Sequence, residues 1–439
     1  MSKPSFYNHI TPANAEGKAI LFNKRWGSLA VVREAAASAL RSGGLARLTR
    51  EEREEFESAG FLVPVELDEI ADSRERYQKN KAHNSTLAIT IELTQACNLA
   101  CTYCYQNDYR QSETIQPDTV AGVQQYIRNV VSQRKRPIKD VVLRFIGGEP
   151  LLQKATVLKA VEDTRRLVEG LGADFHTQID TNGLLLDANV IRAMDTISVT
   201  LTNKADHNRM RVRHNGSGTY EALVKRLKKH AEEFNQFETL LSIRYNVNAF
   251  NAKYAADVYR MVKELGITGT EFELYNTVNY DYNELIMSLS RDDFKRLYME
   301  IIRLKVEHGE VVTDFPRPTF APCSGYTPYT LKVGADGRLS VCDAMHQPRS
   351  SLAELLEDPD KHLDIFAEQA AHTPFDNPAC GGCSNHGICG GMYFCKLNEH
   401  AADNDPCDYL PFDLDEFLRF FAESYPNQPH IFKLTGQSG

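Results

Sequence analysis

From Thr86 to about Leu304, short apolar runs of strand length alternate with longer stretches in which apolar residues recur at three- and four-residue spacing. This is the pattern of strands feeding amphipathic helices. It predicts strands at 87–93, 140–146, 174–180, 197–201, 241–247 and 271–275, and helices at about 117–133, 153–170, 187–194, 219–234, 253–265 and 292–307. Repeated strand-then-helix units build a parallel α/β sheet. Six repeats are too few for a closed eight-fold barrel and suit a partial (β/α)6 TIM-like barrel. In such barrels chemistry gathers at the C-terminal ends of the strands.

The flanking segments read differently. Ala19–Val32 predicts two short strands around a turn from Asn23 to Gly27, followed by a helix from about Arg33 to Arg41. Thr49 with Glu52 three residues later is a capping-box pattern, and Gly60 and a short apolar strand close that second helix. Hairpin, two helices and a returning strand predict a winged-helix-like module within residues 1–85, with 68–84 as a polar linker carrying some helix. The alternation stops near Val311. A last stretch, Phe412–Tyr425, sets Leu414, Phe417, Leu418 and Phe421 at helical spacing and reads as a packing helix. The expected divisions are therefore 1–85, 86–310, 311–412 and 413–439.

A chain of 439 residues can hold two or three domains with sizeable cores. The net charge of -9 argues against a nucleic-acid binder. No apolar run reaches bilayer-spanning length, and the polar start Met1–Tyr7 lacks a signal-peptide apolar region. The expected location is cytoplasmic, with no membrane partner. Ten cysteines in that reducing setting point to metal binding before disulfides.

Three of them, Cys97, Cys101 and Cys104, form a C-x3-C-x2-C set directly after the first predicted barrel strand. A cubane iron–sulfur cluster normally takes four thiolates, so a compact set of three leaves one iron for another ligand. A zinc knuckle is the alternative, but it calls for a second Cys or His pair nearby, and none follows until the far C-terminus. Gly147-Gly148-Glu149-Pro150 follows the second predicted strand, on the same rim. Its glycines allow close backbone approach, and a glutamate there can accept a charge-assisted hydrogen bond from an ammonium.

The cysteine trio, with Tyr103 before its last thiol, resembles the radical S-adenosylmethionine (SAM) signature, and Gly147–Pro150 resembles that family's second motif. The resemblance implies a [4Fe-4S] cluster whose fourth iron is chelated by SAM, and a 5′-deoxyadenosyl radical that abstracts hydrogen from an unactivated carbon. Thr181, Asn182, Thr200 and Arg211 stand where related enzymes often place polar groups near SAM, Arg211 as a carboxylate partner. Thr200-Leu-Thr-Asn-Lys204 departs from the family's usual turn, so no acid/base role is carried to it, and the catalytic acid/base stays unassigned.

The seven remaining cysteines resemble the SPASM extension, although five residues separate Cys389 from Cys395 where three are usual. The resemblance implies two auxiliary clusters, one held by Cys323, Cys342 and Cys395 and one by Cys380, Cys383, Cys389 and Cys407. Three cubanes offer twelve iron sites; with one given to SAM, ten cysteines cannot fill the other eleven. One auxiliary iron is then left to solvent, to Asp343 or His346, or to a substrate thiolate. With the N-terminal module, the chain resembles enzymes that mature ribosomally made peptides, in which an exposed strand pairs with the leader of a precursor. The implied function is oxidative crosslinking or a related modification of a precursor peptide, with a flavodoxin or ferredoxin-type electron donor. Alternatives are a sulfatase-maturase-like protein oxidant, a small-molecule dehydrogenase, and a non-catalytic iron–sulfur binding protein.

Overall fold

The computed structural model describes residues 1–82, 85–104, 106, 113–133, 137–277, 287–318, 327, 329–340, 350–358, 373–376, 378–389, 410–425 and 431–432. The chain divides into two compact units. One comprises 84–301 with 324–370, and the other 1–83 with 302–323 and 371–439. Residues read from the sequence as one C-terminal region are thus shared between both units.

The first of these units holds a sheet whose strands were legible in the alternation. β6 (Thr86–Glu92), β7 (Asp140–Ile146), β8 (Asp174–Thr181), β9 (Thr196–Thr200), β10 (Leu240–Val247) and β11 (Thr270–Asn276) lie side by side in chain order, every pair parallel. Residues alternate between faces, as strand geometry requires. Leu143, Phe145, Ile179, Ile197, Val199, Ile243 and Phe272 are buried, whereas Arg144, Gln178, Asp180, Arg244 and Glu273 are half-buried.

The connecting helices are α4 (Pro117–Gln133), α5 (Lys154–Gly170), α6 (Ala188–Ala193), α7 (Lys204–Met210), α8 (Tyr220–Lys229), α9 (Ala231–Gln236), α10 (Ala255–Lys263) and α11 (Arg291–Glu307). The α/β class with a parallel sheet agrees with the sequence pattern and with a partial barrel. Three details differ from it. The helix expected at 219–234 is broken at His230. α7 was not anticipated, because its seven residues are too few to declare a period. The sheet also continues past β6 through β12 (Thr330–Val333, parallel to β6), β13 (Arg338–Ser340) and β14 (Ser350–Ser351).

In the other unit, β1 (Ser2–Pro4) pairs with β5 (Leu62–Pro64), and β2 (Asn8–Ile10), β3 (Lys18–Asn23) and β4 (Leu29–Arg33) form an antiparallel sheet. α1 (Glu34–Ser42) and α2 (Arg50–Ser58) pack Ala36, Leu40 and Phe56 with Leu21 and Phe61 into one apolar core. The capping box is present: Glu52 N–H donates to Thr49 Oγ1 at 3.1 Å, and Thr49 N–H to Glu52 Oε2 at 2.9 Å. The stretch expected as a linker is instead α3 (Glu69–Ala82), tied in by Arg25, which pairs with Asp72 and lies 3.7 Å from Glu69.

The same unit holds α13 (Pro378–Gly381), α14 (His386–Cys389), α15 (Leu414–Ser424) and β15 (Ile431–Phe432), the last pairing with β4; α12 (Leu352–Glu357) belongs to the barrel unit. As expected for a packing helix, α15 buries Phe417, Leu418 and Phe421, and Phe315 meets the Phe421 ring at 4.7 Å.

Candidate active site

The loop after β6 carries Cys97, Cys101 and Cys104, all half-buried and outside any disulfide. Backbone bonds to the segment after α7 fix its path. Ala100 N–H donates to the Val212 carbonyl at 2.8 Å and Thr102 N–H to the Met210 carbonyl at 2.9 Å. Leu99 N–H points at Cys97 Sγ at 3.4 Å, a bond that stabilises a thiolate. His214, which the sequence reading did not single out, places Nε2 2.9 Å from the Cys97 carbonyl oxygen. Among the described residues no three Cys, His, Asp or Glu side chains converge on a point that would hold a single ion.

The Gly147-Gly148 turn lies against the chain entering this loop. Gly148 N–H donates to the Thr94 carbonyl at 2.7 Å, and Glu149 N–H to the Ala96 carbonyl at 2.9 Å. A Cβ on Gly148 would run into the Ala96 carbonyl, so the approach requires glycine there. Pro150 then opens a short 3-10 turn, Pro150–Gln153.

Glu149 is fully buried, and its carboxylate is occupied by the protein itself. Oε1 accepts from Thr181 Oγ1 at 2.6 Å and Leu151 N–H at 3.0 Å, and Oε2 accepts from Asn182 N–H at 2.8 Å. Burial pushes its pKa up, opposed by those three donors and by the charge of Arg211. The carboxylate fastens the Thr181-Asn182 turn. That turn reaches the cysteine loop, since Asn182 Nδ2 donates to Asn98 Oδ1 at 2.7 Å.

Arg211 is the electrostatic centre of the group. Its guanidinium donates to the Tyr103 hydroxyl at 2.6 Å. Burial works against its charge, but Tyr103, Cys101 and Cys97 outweigh that and push its pKa upward. Burial in turn pushes the Tyr103 phenol up. Cys97, Cys101, Cys104, Tyr103, Gly147, Gly148, Glu149, Thr181, Asn182 and Arg211 are therefore gathered at one end of the sheet. Thr200 ends β9 in register with Arg244, and no side-chain bond ties it to that group.

The donor set suits the cluster implied by the motif: three thiols on one loop, an amide N–H on one sulfur, and a cation beside two of them. With SAM on the open iron, the family's chemistry is reductive cleavage to a carbon-centred radical. In the other unit, Cys380 and Cys389 are buried and Cys383 half-buried within one turn. Cys323, Cys342, Cys395 and Cys407, with Asp343 and His346, lie outside the described residues.

The sequence reading missed the polar face of the barrel sheet. It lines a cavity of about 320 Å3 with Arg144, Arg244, Glu273 and Tyr275; Asp180 Oδ2 bonds Arg144 and lies 3.4 Å from Arg244. Arg244 sits 4.5 Å over the Tyr275 ring, and the Tyr275 hydroxyl donates to Glu273 at 2.7 Å. The signal was available: single charged residues interrupt otherwise apolar strands at alternate positions, as in Val-Val-Leu-Arg144-Phe-Ile.

The Radical SAM superfamily model matches residues 91–248. Over 369 residues, 78% of this chain and 86% of the relative, the chain is 25% identical to the serine-type anaerobic sulfatase-maturating enzyme of Klebsiella aerogenes. Among solved structures, anSMEcpe with bound AdoMet and Cp18Cys peptide superposes with a TM-score of 0.56 at 16% identity, covering 78% of this chain and 97% of that one. SuiB of Streptococcus suis bound to S-adenosylmethionine superposes with a TM-score of 0.52 at 16% identity, covering 94% and 99%. The three-thiol loop, the Gly-Gly-Glu-Pro turn packed on it and the family match over residues 91–248 identify this segment as a radical SAM domain.

Proposed function

We propose that the chain is a radical SAM peptide maturase acting on a ribosomally made precursor. The observation that carries this reading is the Cys97–Cys104 loop held between the Gly147–Glu149 turn and Arg211. That arrangement supplies a cluster site with one iron left for SAM. Arg211 is the cation for SAM's carboxylate, and Asn98 and Asn182 set amide groups beside the thiol loop. Cleavage of SAM by a cluster electron is the chemistry the bound group contributes; the chain binds, orients and keeps water out.

The cavity lined by Arg144, Arg244, Glu273 and Tyr275 is the surface that receives the peptide side chain to be modified. An apolar group entering it would cover those charged and polar groups at a cost, so the partner group is polar. A net oxidation removes a second electron from the substrate. Auxiliary clusters held by Cys323, Cys342 and Cys395, and by Cys380, Cys383, Cys389 and Cys407, are the acceptors in this reading, and a flavodoxin or ferredoxin-type protein is the donor to the first cluster. The winged-helix-like arrangement of β1 to β5 with α1 and α2 is the leader-recognition element. The similarity to the sulfatase-maturating enzyme favours, as a second reading, oxidation of one residue in a protein substrate.

Co-expression with short open reading frames neighbouring the coding region, followed by mass spectrometry, tests the substrate class. A two-dalton loss marks oxidative crosslinking, and an unchanged mass with inverted stereochemistry marks isomerisation. Unmodified peptides throughout, together with oxidation of a folded sulfatase, would transfer the assignment to the second reading.

A further inference from the structure

The turn between β3 and β4 is fixed by Asn23. Its side-chain oxygen accepts from the N–H groups of Arg25 and Trp26, each at 3.0 Å, and its amide donates to Asn8 Oδ1 and the Gly60 carbonyl, each at 2.9 Å. Lys24 follows at once and is 6% exposed. Its Nζ donates to Asn385 Oδ1 at 2.7 Å and Ser384 Oγ at 3.1 Å, both neutral acceptors. Among the described residues no carboxylate lies within ion-pair distance of it. A buried ammonium held only by neutral groups is costly unless negative charge lies near.

The thiols of the Cys380–Cys389 turn lie close to it in space. Asn385, which accepts from Lys24, donates its backbone N–H to Cys383 Sγ at 3.4 Å and accepts from Cys389 N–H at 2.8 Å through its carbonyl. Cys383 N–H bonds the Cys380 carbonyl at 2.9 Å. Gly387 rests directly on the Lys24 carbonyl, where any Cβ would collide with it. The three thiols, the Asn385 bridge and the Lys24 side chain thus form one packed turn. The donor set suits a cluster: three thiols outside any disulfide, with an amide N–H on one sulfur.

We propose that Lys24 is a redox-tuning residue for the iron–sulfur cluster held by Cys380, Cys383 and Cys389. This rests on the reading that these cysteines bind a cluster. Thiolate ligation leaves such a cluster net negative, and reduction adds one more negative charge, so a fixed cation nearby favours the reduced form and raises the potential. In turnover the substrate radical gives up one electron and loses a proton to solvent. A cluster held by Cys380, Cys383 and Cys389 would supply the acceptor for that electron, with the flavodoxin or ferredoxin-type carrier as the onward acceptor. Lys24 thereby makes the N-terminal hairpin part of the electron-accepting apparatus.

The test is an anaerobic potentiometric titration of full-length reconstituted protein followed by electron paramagnetic resonance. The signal is assigned by its loss in Cys383→Ala. Lys24→Met and Lys24→Gln, the second keeping a donor to Asn385, should each move that midpoint to lower potential, while Lys24→Arg should keep it near wild type. The other clusters should not move. Midpoints unchanged in both uncharged variants, with the cluster present, overturn the role of Lys24 alone. Iron content and signals unaffected by Cys383→Ala overturn it together with the cluster reading.

Discussion

The Arg211 guanidinium donates to the Tyr103 hydroxyl at 2.6 Å, one residue before the last thiol of the Cys97–Cys104 loop. The pair ties the segment after α7 to the cluster loop and keeps a positive charge beside Cys101 and Cys97. Arg211→Met should leave iron incorporation close to wild type and weaken SAM binding at least about tenfold, a loss of roughly 1.4 kcal/mol. Arg211→Lys should recover only part, because an ammonium lacks the planar fork. Iron analysis with equilibrium SAM binding checks both.

Gly148 allows the Gly147–Glu149 turn to touch the backbone before the cysteines. Gly148→Ala should destabilise the chain by about 1–3 kcal/mol through forced displacement. Gly170, at the end of α5 with nothing near its missing side chain, is the control, and Gly170→Ala should be neutral or slightly stabilising. Denaturant unfolding of both variants gives the comparison.

His207 is 1% exposed, and burial, aided by the charge of Arg211, holds its pKa down at about 3. An unfolded imidazole titrates near ~6.5. The folded-state value is depressed, so the unfolded chain binds the extra proton across that window. Stability should be full above about pH 6.5 and fall with acidification by about 1.4 kcal/mol per pH unit from this group until about pH 3. His386, lowered to about 4 mainly by burial, acts in the same direction. His207→Gln keeps an acceptor for the Thr202 N–H and should show a shallower fall in melting temperature between pH 6.5 and 5.

Asp180 pairs with Arg144 and Arg244, two residues that line the barrel cavity, away from the thiol loop in sequence and hydrogen bonding. Asp180→Asn should leave SAM cleavage without peptide unchanged and raise the ratio of 5′-deoxyadenosine to modified peptide several-fold, because misplacing a substrate by ~1 Å can cost about 100-fold in rate. Equal coupling in both proteins would exclude this cavity as the peptide site.

The barrel strands and the thiol loop were legible because each leaves a local signature: alternation in Leu87–Leu93, and three cysteines within eight positions. Glu149 was legible as a position in its turn. The donors its carboxylate accepts from, Thr181 and Asn182, lie more than thirty residues away, and spacing does not reveal them. α3 was missed as a firm helix because its contacts with Arg25 lie across the fold. Asp180 and Arg244 were overlooked because a charged residue in a strand looks like solvent exposure until the sheet curves around it.

The central claim is radical SAM chemistry at Cys97, Cys101 and Cys104. Reconstituted protein with dithionite and SAM should release 5′-deoxyadenosine, and the triple Cys→Ala variant should release none. Absence of 5′-deoxyadenosine from wild-type protein with its iron–sulfur cluster intact would contradict it.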